Sequence, residues 1–283
     1  MPEYGAVALD SESNRRQALV RRERTIHYFE RLSETSFRAA NHTGGAWNTE
    51  EQHIAPALGL LAHAIETDRD RRRDDRPAIG RLSYDILGTL PIGVVDTAVR
   101  TLRAGRTIEL VEATLSHDGR PAVVARAWLM QSFETAPFGG TPFPSIAAPD
   151  AMPTWDATTV WPGGFIESVD VRRDHVEPGR ASFWVRTPIP LVADEPVSAV
   201  ARTAGVLDIA NGMATRVSPA EVAFPNLDLT LHLFAEPDGE WVGFDTSVSF
   251  GASGIGLTHS TVSGVRGPIG TSSQILTVRP TAR

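Results

Sequence analysis

The 283-residue sequence contains no cysteine. Disulfide bonds, thiolate metal sites and a cysteine nucleophile are therefore excluded, and the composition favours the reducing cytoplasm as location. Nucleophilic serine or water chemistry stays open. The sequence also lacks any apolar run of about twenty residues, so we expect no membrane-spanning segment and no membrane partner.

Excess positive charge is missing as well, because the formal net charge is −7. The phosphates of a nucleic acid demand a concentrated basic surface, so no nucleic-acid partner is expected. The densest basic run, RDRRRDDR at Arg69–Arg76, is interrupted by aspartates, which is typical of a solvated loop. Residues 1–22 are charged and have no apolar centre of the kind a secretion signal requires, so they predict a flexible tail.

Motifs for several other chemistries are absent. The sequence has no His-Glu-x-x-His, no Gly-x-Ser-x-Gly, and no Gly-x-Gly-x-x-Gly after a predicted strand. His53 and His63 are ten residues apart, which is not a spacing typical of metal ligands. We therefore expect neither a metal ion nor a cofactor.

One order of predicted elements occurs twice. Residues 23–132 begin with two strand-like runs (TIHYFERL, ETSFRAAN), continue with an amphipathic helix (NTEEQHIAPALGLLAHAIE) and end in four strands separated by turn signals. Residues 165–283 repeat this order with the helical run VSAVARTAGVLDIANG. Residues 133–164, rich in proline and glycine, predict a linker that crosses a surface.

The helical run of the first half begins with a possible cap. Thr49 and Gln52 fit a capping box, and Pro56 either kinks the helix or delays its regular part.

A helix of about fifteen residues with one apolar stripe is not stable alone, and an antiparallel sheet with one apolar face needs cover. Wrapping each sheet around one long helix satisfies both needs. The repeat therefore predicts an α+β tandem double hotdog, whose large outer sheet faces favour a homo-oligomer. Two unrelated α+β domains are the alternative, and they would leave the shared element order to accident.

Three pieces of the second half carry a family resemblance: GVLDIANG, FPNLDLTLHL and TSSQILTVRP. In the first half, GRLSYDILGTLPIG and TLRAGRTIELVEATLSHDG add to it. From about His27 to Pro280 the chain resembles the acyl-CoA thioesterase II type of double-hotdog protein. The resemblance implies hydrolysis of an acyl-CoA substrate and places the residues that hold the hydrolytic water at Asp208, Asn226 and Gln274. Asn226 stands where threonine is the better-known choice, and an amide can likewise donate and accept hydrogen bonds.

The residues themselves are compatible with those roles. Asp208 lies near the predicted C-terminal end of its helix, where the macrodipole should raise its proton affinity and make it a better base. Gln274 could extend from a wrapped sheet to that helix end. Each residue also has a structural alternative: Asp208 as a local hydrogen-bonding residue, Asn226 as a turn former after Pro225, and Gln274 as a polar residue on an exposed strand face.

The strand FPNLDLTLHL raises a question of parity. Strict alternation puts Asn226 on the face opposite Leu227, Leu229 and Leu231. Either the strand becomes regular only after Asn226, or the leucines do not all face the helix.

The first half lacks the polar set. Counting back through the repeat places Arg81 near the position of Asn226 and Trp128 near that of Gln274. We expect the first half to shape the acyl pocket, with Tyr28, Phe29 and Trp128 as lining residues or, alternatively, as core packing. The pair Gly44 and Gly45 allows close approach of the backbone to a ligand.

Two other functions stay open on the same fold. One is a catalytically idle acyl-CoA-binding protein. The other is a hydratase or dehydratase, for which His42 and His53 are the histidines close to a helix start.

Overall fold

The computed structural model describes residues 26–281. The strands of the first half are β1 (Phe29–Arg31), β2 (Ser36–Ala39), β3 (Ala78–Ile86), β4 (Val94–Arg103), β5 (Ile108–His117) and β6 (Arg120–Met130). Those of the second half are β7 (Asp170–Glu177), β8 (Arg180–Arg186), β9 (Val222–Ala223), β10 (Asp228–Leu233), β11 (Val242–Phe250), β12 (Ile255–Gly264), β13 (Gly267–Thr277) and β14 (Arg279–Pro280). The α-helices are α1 (Ile54–Arg72), α2 (Gly164–Glu167), α3 (Ala199–Ala204) and α4 (Ala210–Met213). No helix among the described residues is long and apolar enough to cross a membrane.

Twelve of these strands join into one antiparallel sheet in the order β1-β2-β4-β5-β6-β3-β10-β13-β12-β11-β8-β7. Read inward from either edge, both halves show the same order of strands. They meet where β3 pairs with β10, with Leu82 opposite Leu231. The repeat predicted from the sequence, two hotdog units in tandem, is therefore confirmed.

Strand pairing also matches individual positions of the two halves. The pair Val111–Ala127 of β5 and β6 corresponds to Thr258–Gln274 of β12 and β13. The pair Ile79–Leu129 corresponds to Asn226–Leu276, and each lies beside a shift of register.

The first-half counterparts of Asn226 and Gln274 are thus Ile79 and Ala127. Arg81 and Trp128, which the sequence placed near these positions, lie two residues and one residue further along the chain. For Trp128 the difference of one residue reverses the face of the strand, because side chains alternate with a period of two.

Helix α1 lies buried against the first-half sheet, with Leu58, Leu61 and Ile65 inaccessible to solvent. Its N-cap is His53, whose Nδ1 accepts a hydrogen bond from the Ala55 N–H at 3.2 Å. The predicted capping box at Thr49 and Gln52 is wrong, since the Gln52 amide instead donates to the carbonyl of Pro91. Pro56 lies in the first turn, where a missing N–H breaks no helical hydrogen bond.

Within the described residues, the second half does not contain one long helix, which corrects the prediction. Helix α3 ends before Gly205, and a 3₁₀ turn (Leu207–Ile209) leads into α4. At this break the backbone of α3 crosses α1: a Cβ atom on Gly59 would lie 2.8 Å from the Gly205 Cα. The crossing is close because both residues are glycine.

The later part of the predicted linker packs against the second half. The Trp155 N–H donates to the carbonyl of Val171, and Met152 and Trp161 are buried. The domain limits given above remain a prediction.

Candidate active site

Asp208, Asn226 and Gln274 come together where the 3₁₀ turn meets the sheet. The Asn226 Nδ2 donates to Asp208 Oδ1 at 2.6 Å, and the Gln274 Nε2 donates to the same oxygen at 3.2 Å. Asp208 and Gln274 are buried, with exposed fractions of 7% and 1%. Two amides therefore hold one oxygen of a buried carboxylate.

A shift of register explains how Asn226 turns inward. Asn226 opposes Leu276 in an isolated bridge, whereas Thr230 opposes Ser273, so the pairing slips by one residue between them. As a result Leu227 is half exposed, while Asn226 shares the inner face with Leu229. The strand therefore becomes regular only after Asn226, and Leu227 does not share the inner face of Leu229 and Leu231, so both answers to the parity question hold.

Asp228 stabilises this irregular start of β10. Its Oδ1 accepts a hydrogen bond from the Ile275 N–H at 2.7 Å, and its carbonyl accepts one from the Asn226 Nδ2 at 3.2 Å. A carboxylate thus satisfies a backbone donor of the neighbouring strand where the ladder is disturbed. The alternating pattern of the strand alone assigned no role to Asp228.

Burial raises the pKa of Asp208 to about 7, and hydrogen bonds from Asn226 and Gln274 oppose this rise. Removing a carboxylate from water disfavours its charged form, which accounts for the direction. The predicted direction matches, but the predicted cause does not. Asp208 precedes α4 instead of ending a long helix.

His53 also contacts Asp208, and the sequence did not predict this contact. Its Nδ1 lies 3.6 Å from Asp208 Oδ2, and burial lowers its pKa to about 3. The imidazole is therefore neutral at neutral pH, and its Nδ1 already accepts the Ala55 N–H. The contact is not an ion pair. The available sequence signal was the place of His53, directly before the apolar helical run.

The two oxygens of Asp208 have different surroundings. Oδ1 accepts both amides, while Oδ2 faces His53 and accepts no hydrogen bond within residues 26–281. Oδ2 is thus the oxygen free to accept a proton.

Asp208 borders a cavity of about 340 Å³ that both halves line. The first half contributes Gly45, Ala46, Trp47, His53, Ile54 and Ile86. The second half contributes Ile166, Met213, Pro225 and Arg279, among others, and Trp161 comes from the segment between the halves. The walls are mostly apolar, and the exposed Arg279 places a positive charge at the rim. Trp161 packs edge-on against Trp47, with ring centroids 4.9 Å apart, and its indole N–H donates to the carbonyl of Gly212.

Gly45 lines the cavity, and Gly44 is its buried neighbour. A Cβ atom on Gly45 would lie 2.7 Å from the backbone nitrogen of His53. The missing side chain allows this loop to pack against the start of α1, so the glycines shape the cavity through the backbone.

The structure places Tyr28, Phe29 and Trp128 away from this cavity, which corrects the expectation that they line it. Tyr28 and Phe29 are buried in the core, and the Tyr28 hydroxyl hydrogen-bonds Ser168 and Thr187. Trp128 lies on the outer face of β6, because its neighbours Ala127 and Leu129 point inward. The alternative assignment, core packing, describes Tyr28 and Phe29.

Within the described part of the chain, no group of three or more histidine, aspartate or glutamate side chains could hold a metal ion.

The fold and the site together define a double-hotdog protein with a buried, amide-bound carboxylate at the edge of a cavity. The family model described as acyl-CoA thioesterase N-terminal domain matches residues 43–130, and the one described as acyl-CoA thioesterase C-terminal domain matches residues 145–278. Together the two matches cover most of the chain, which belongs to the acyl-CoA thioesterase family and is a thioester hydrolase.

Solved structures agree in fold. An acyl-CoA thioesterase II from Mycobacterium marinum is 18% identical, with a TM-score of 0.62, covering 90% of this chain and 96% of that one. A hot dog fold protein of unknown function from Alicyclobacillus acidocaldarius is 14% identical, with a TM-score of 0.69, covering 89% and 96%. No curated protein matches the chain significantly in sequence.

Proposed function

We propose that the protein hydrolyses the thioester of a fatty acyl-CoA and that Asp208 is the general base. One observation carries the proposal: the two amides occupy Oδ1, so Oδ2 of a carboxylate with a pKa of about 7 is left beside the cavity. A base is most effective when its pKa lies near the working pH.

In the proposed reaction, water donates a proton to Asp208 Oδ2 as its oxygen attacks the thioester carbonyl carbon. The tetrahedral intermediate then collapses, the C–S bond breaks, and the thiolate of coenzyme A takes the proton from Asp208. Asn226 and Gln274 fix the carboxylate, and the Asn226 Oδ1 is left to accept the second hydrogen of the water.

The start of α1 offers a donor for the carbonyl oxygen. Among the first helical N–H groups, that of Ala55 is used by His53, and Pro56 has none. The Ile54 N–H has no partner within residues 26–281, and it lies at the positive end of the helix in a residue that lines the cavity. An N–H in this place can stabilise the negative charge that develops on the oxygen.

The walls of the cavity support the substrate class. Their apolar side chains suit a fatty acyl chain, and Arg279 at the rim suits a phosphate group of coenzyme A. A cytoplasmic location and a homo-oligomer remain part of the proposal, supported by the lack of cysteine and by the large outer sheet faces.

Release of free thiol from acyl-CoAs of varied chain length tests this function. We expect release by the wild type and its loss, by at least about 100-fold, in Asp208→Ala and Gln274→Ala. Asp118→Ala, which changes an exposed aspartate, should leave the rate unchanged. Tight binding without thiol release would indicate an idle acyl-CoA-binding protein, and water addition to a 2-enoyl chain would indicate a hydratase that uses His53.

A further inference from the structure

The inner face of the second half is polar where that of the first half is apolar. The polar positions are Thr246, Thr258, Ser260, Ser272 and Gln274, all with exposed fractions of 3% or less. Their counterparts by strand pairing are Val99, Val111, Ala113, Ala125 and Ala127. The hotdog fold therefore does not itself require polar side chains at these positions.

Within this group, hydrogen bonding is complete at one end and incomplete at the other. Thr246 Oγ1 and Ser260 Oγ are 2.7 Å apart and satisfy each other. Thr258 Oγ1 and Gln274 Oε1, both inaccessible, have no partner among the described residues. A buried polar atom without a partner costs about 1–3 kcal/mol, so two at neighbouring positions need an explanation.

Thr258 and Gln274 are directly opposite each other on β12 and β13. Opposite residues of an antiparallel pair share a face, with Cβ atoms about 4.5–5.5 Å apart. A rotation of either side chain, or one bridging water, brings the threonine hydroxyl within hydrogen-bond distance of the amide oxygen. That bond would fix which way the carboxamide points.

Resting on the proposed function, we propose that Thr258 is a positioning residue for Gln274. Its hydroxyl binds the Gln274 Oε1, directly or through one water, and thereby keeps the Nε2 directed at Asp208 Oδ1. Without it, the carboxamide is free to turn and present its oxygen to the carboxylate, where it would repel the charge.

The variants Thr258→Val and Thr258→Ser test this role. Valine keeps the shape and removes the hydroxyl, while serine keeps the hydroxyl. We expect Thr258→Val to lower kcat about ten-fold with little change in KM. It should also raise the apparent pKa of the acidic limb of kcat/KM, because the Gln274 hydrogen bond lowers the pKa of Asp208. Thr258→Ser should restore both. Thr246→Val, which removes a buried hydroxyl bonded to Ser260, is the control and should leave the pH profile unchanged.

A purely structural threonine gives a different result. Removing an unpartnered hydroxyl would then stabilise the fold and leave kcat and the pH profile as in the wild type, which overturns the proposal. A high-resolution crystal structure provides a readout that does not depend on turnover. An Oγ1–Oε1 contact or one shared water supports the role of Thr258 even if thiol release fails, and an amide turned away from Thr258 refutes it.

Discussion

Asp208 Oδ2 and His53 Nδ1 lie 3.6 Å apart and join the two halves of the molecule at the cavity. Burial acts on both groups in the direction that removes charge, raising the pKa of Asp208 and lowering that of His53. Burial therefore favours the neutral forms of Asp208 and His53 over an ion pair between them. Both halves are needed to form this arrangement, since His53 precedes α1 and Asp208 precedes α4.

Activity should depend on pH through Asp208. A general base acts in its ionised form, so kcat/KM should rise with pH and level off above about pH 7. His53, with a pKa of about 3, should not contribute a step near neutrality. The pH profile of thiol release checks this prediction, and a midpoint near pH 4 would show that burial does not act on the catalytic base.

Asp208→Asn should stabilise the fold at neutral and alkaline pH. The folded-state pKa of about 7 lies above the unfolded value of about 3.9, so the wild type loses stability as pH rises between these values. Asparagine does not titrate. The variant should gain up to about 4 kcal/mol at pH 8, with the gain shrinking toward pH 4.

Denaturant unfolding of wild type and Asp208→Asn at pH 4.5 and pH 8 measures this difference, because other pH effects are common to both proteins. A variant less stable than wild type at pH 8 would contradict it.

Asn226→Ala should lower kcat/KM by about 10- to 100-fold, since it removes a hydrogen bond to a buried charge. It should also raise the apparent pKa of the acidic limb of the pH profile, because the hydrogen bond from Asn226 lowers the pKa of Asp208. Asn226→Thr supplies one hydroxyl donor for Asp208 but none for the Asp228 carbonyl, and should retain activity to within about ten-fold. An equal loss of kcat/KM in Asn226→Ala and Asn226→Thr would mean that the Asn226 carboxamide has a role besides its hydrogen bond to Asp208.

Gly59→Ala should destabilise the protein by about 1–3 kcal/mol through a clash between helices. The added Cβ would lie 2.8 Å from the Gly205 Cα and 2.9 Å from the Ala201 carbonyl oxygen, and both belong to backbone. Gly88→Ala is the control, because the Cβ of this loop residue would meet no atom within 4 Å apart from those of its chain neighbours. Thermal unfolding measures the change in Tm. A clash lowers the Tm of Gly59→Ala, whereas an alanine without a clash would stabilise the helix and raise it.

Local patterns were enough to predict most of the fold. The strands and α1 follow from alternation and helical spacing, and the repeat indicated the double hotdog. The second helix was predicted too long. By intrinsic propensity Gly205 disfavours a helix only mildly, and its close contact with α1 is a tertiary contact that the local sequence does not show. The lining roles of Tyr28, Phe29 and Trp128 failed for a similar reason, since the position of the cavity depends on how the two halves meet.

The sequence by itself determined the order of elements, their duplication, and the presence of Asp208, Asn226 and Gln274 at the matching places of the second half. Only the tertiary structure decided that Asn226 turns inward, that His53 meets Asp208, and that Thr258 lies opposite Gln274. Register shifts and burial arise between segments distant in sequence. A side chain's face and its pKa therefore depend on partners that no local pattern contains.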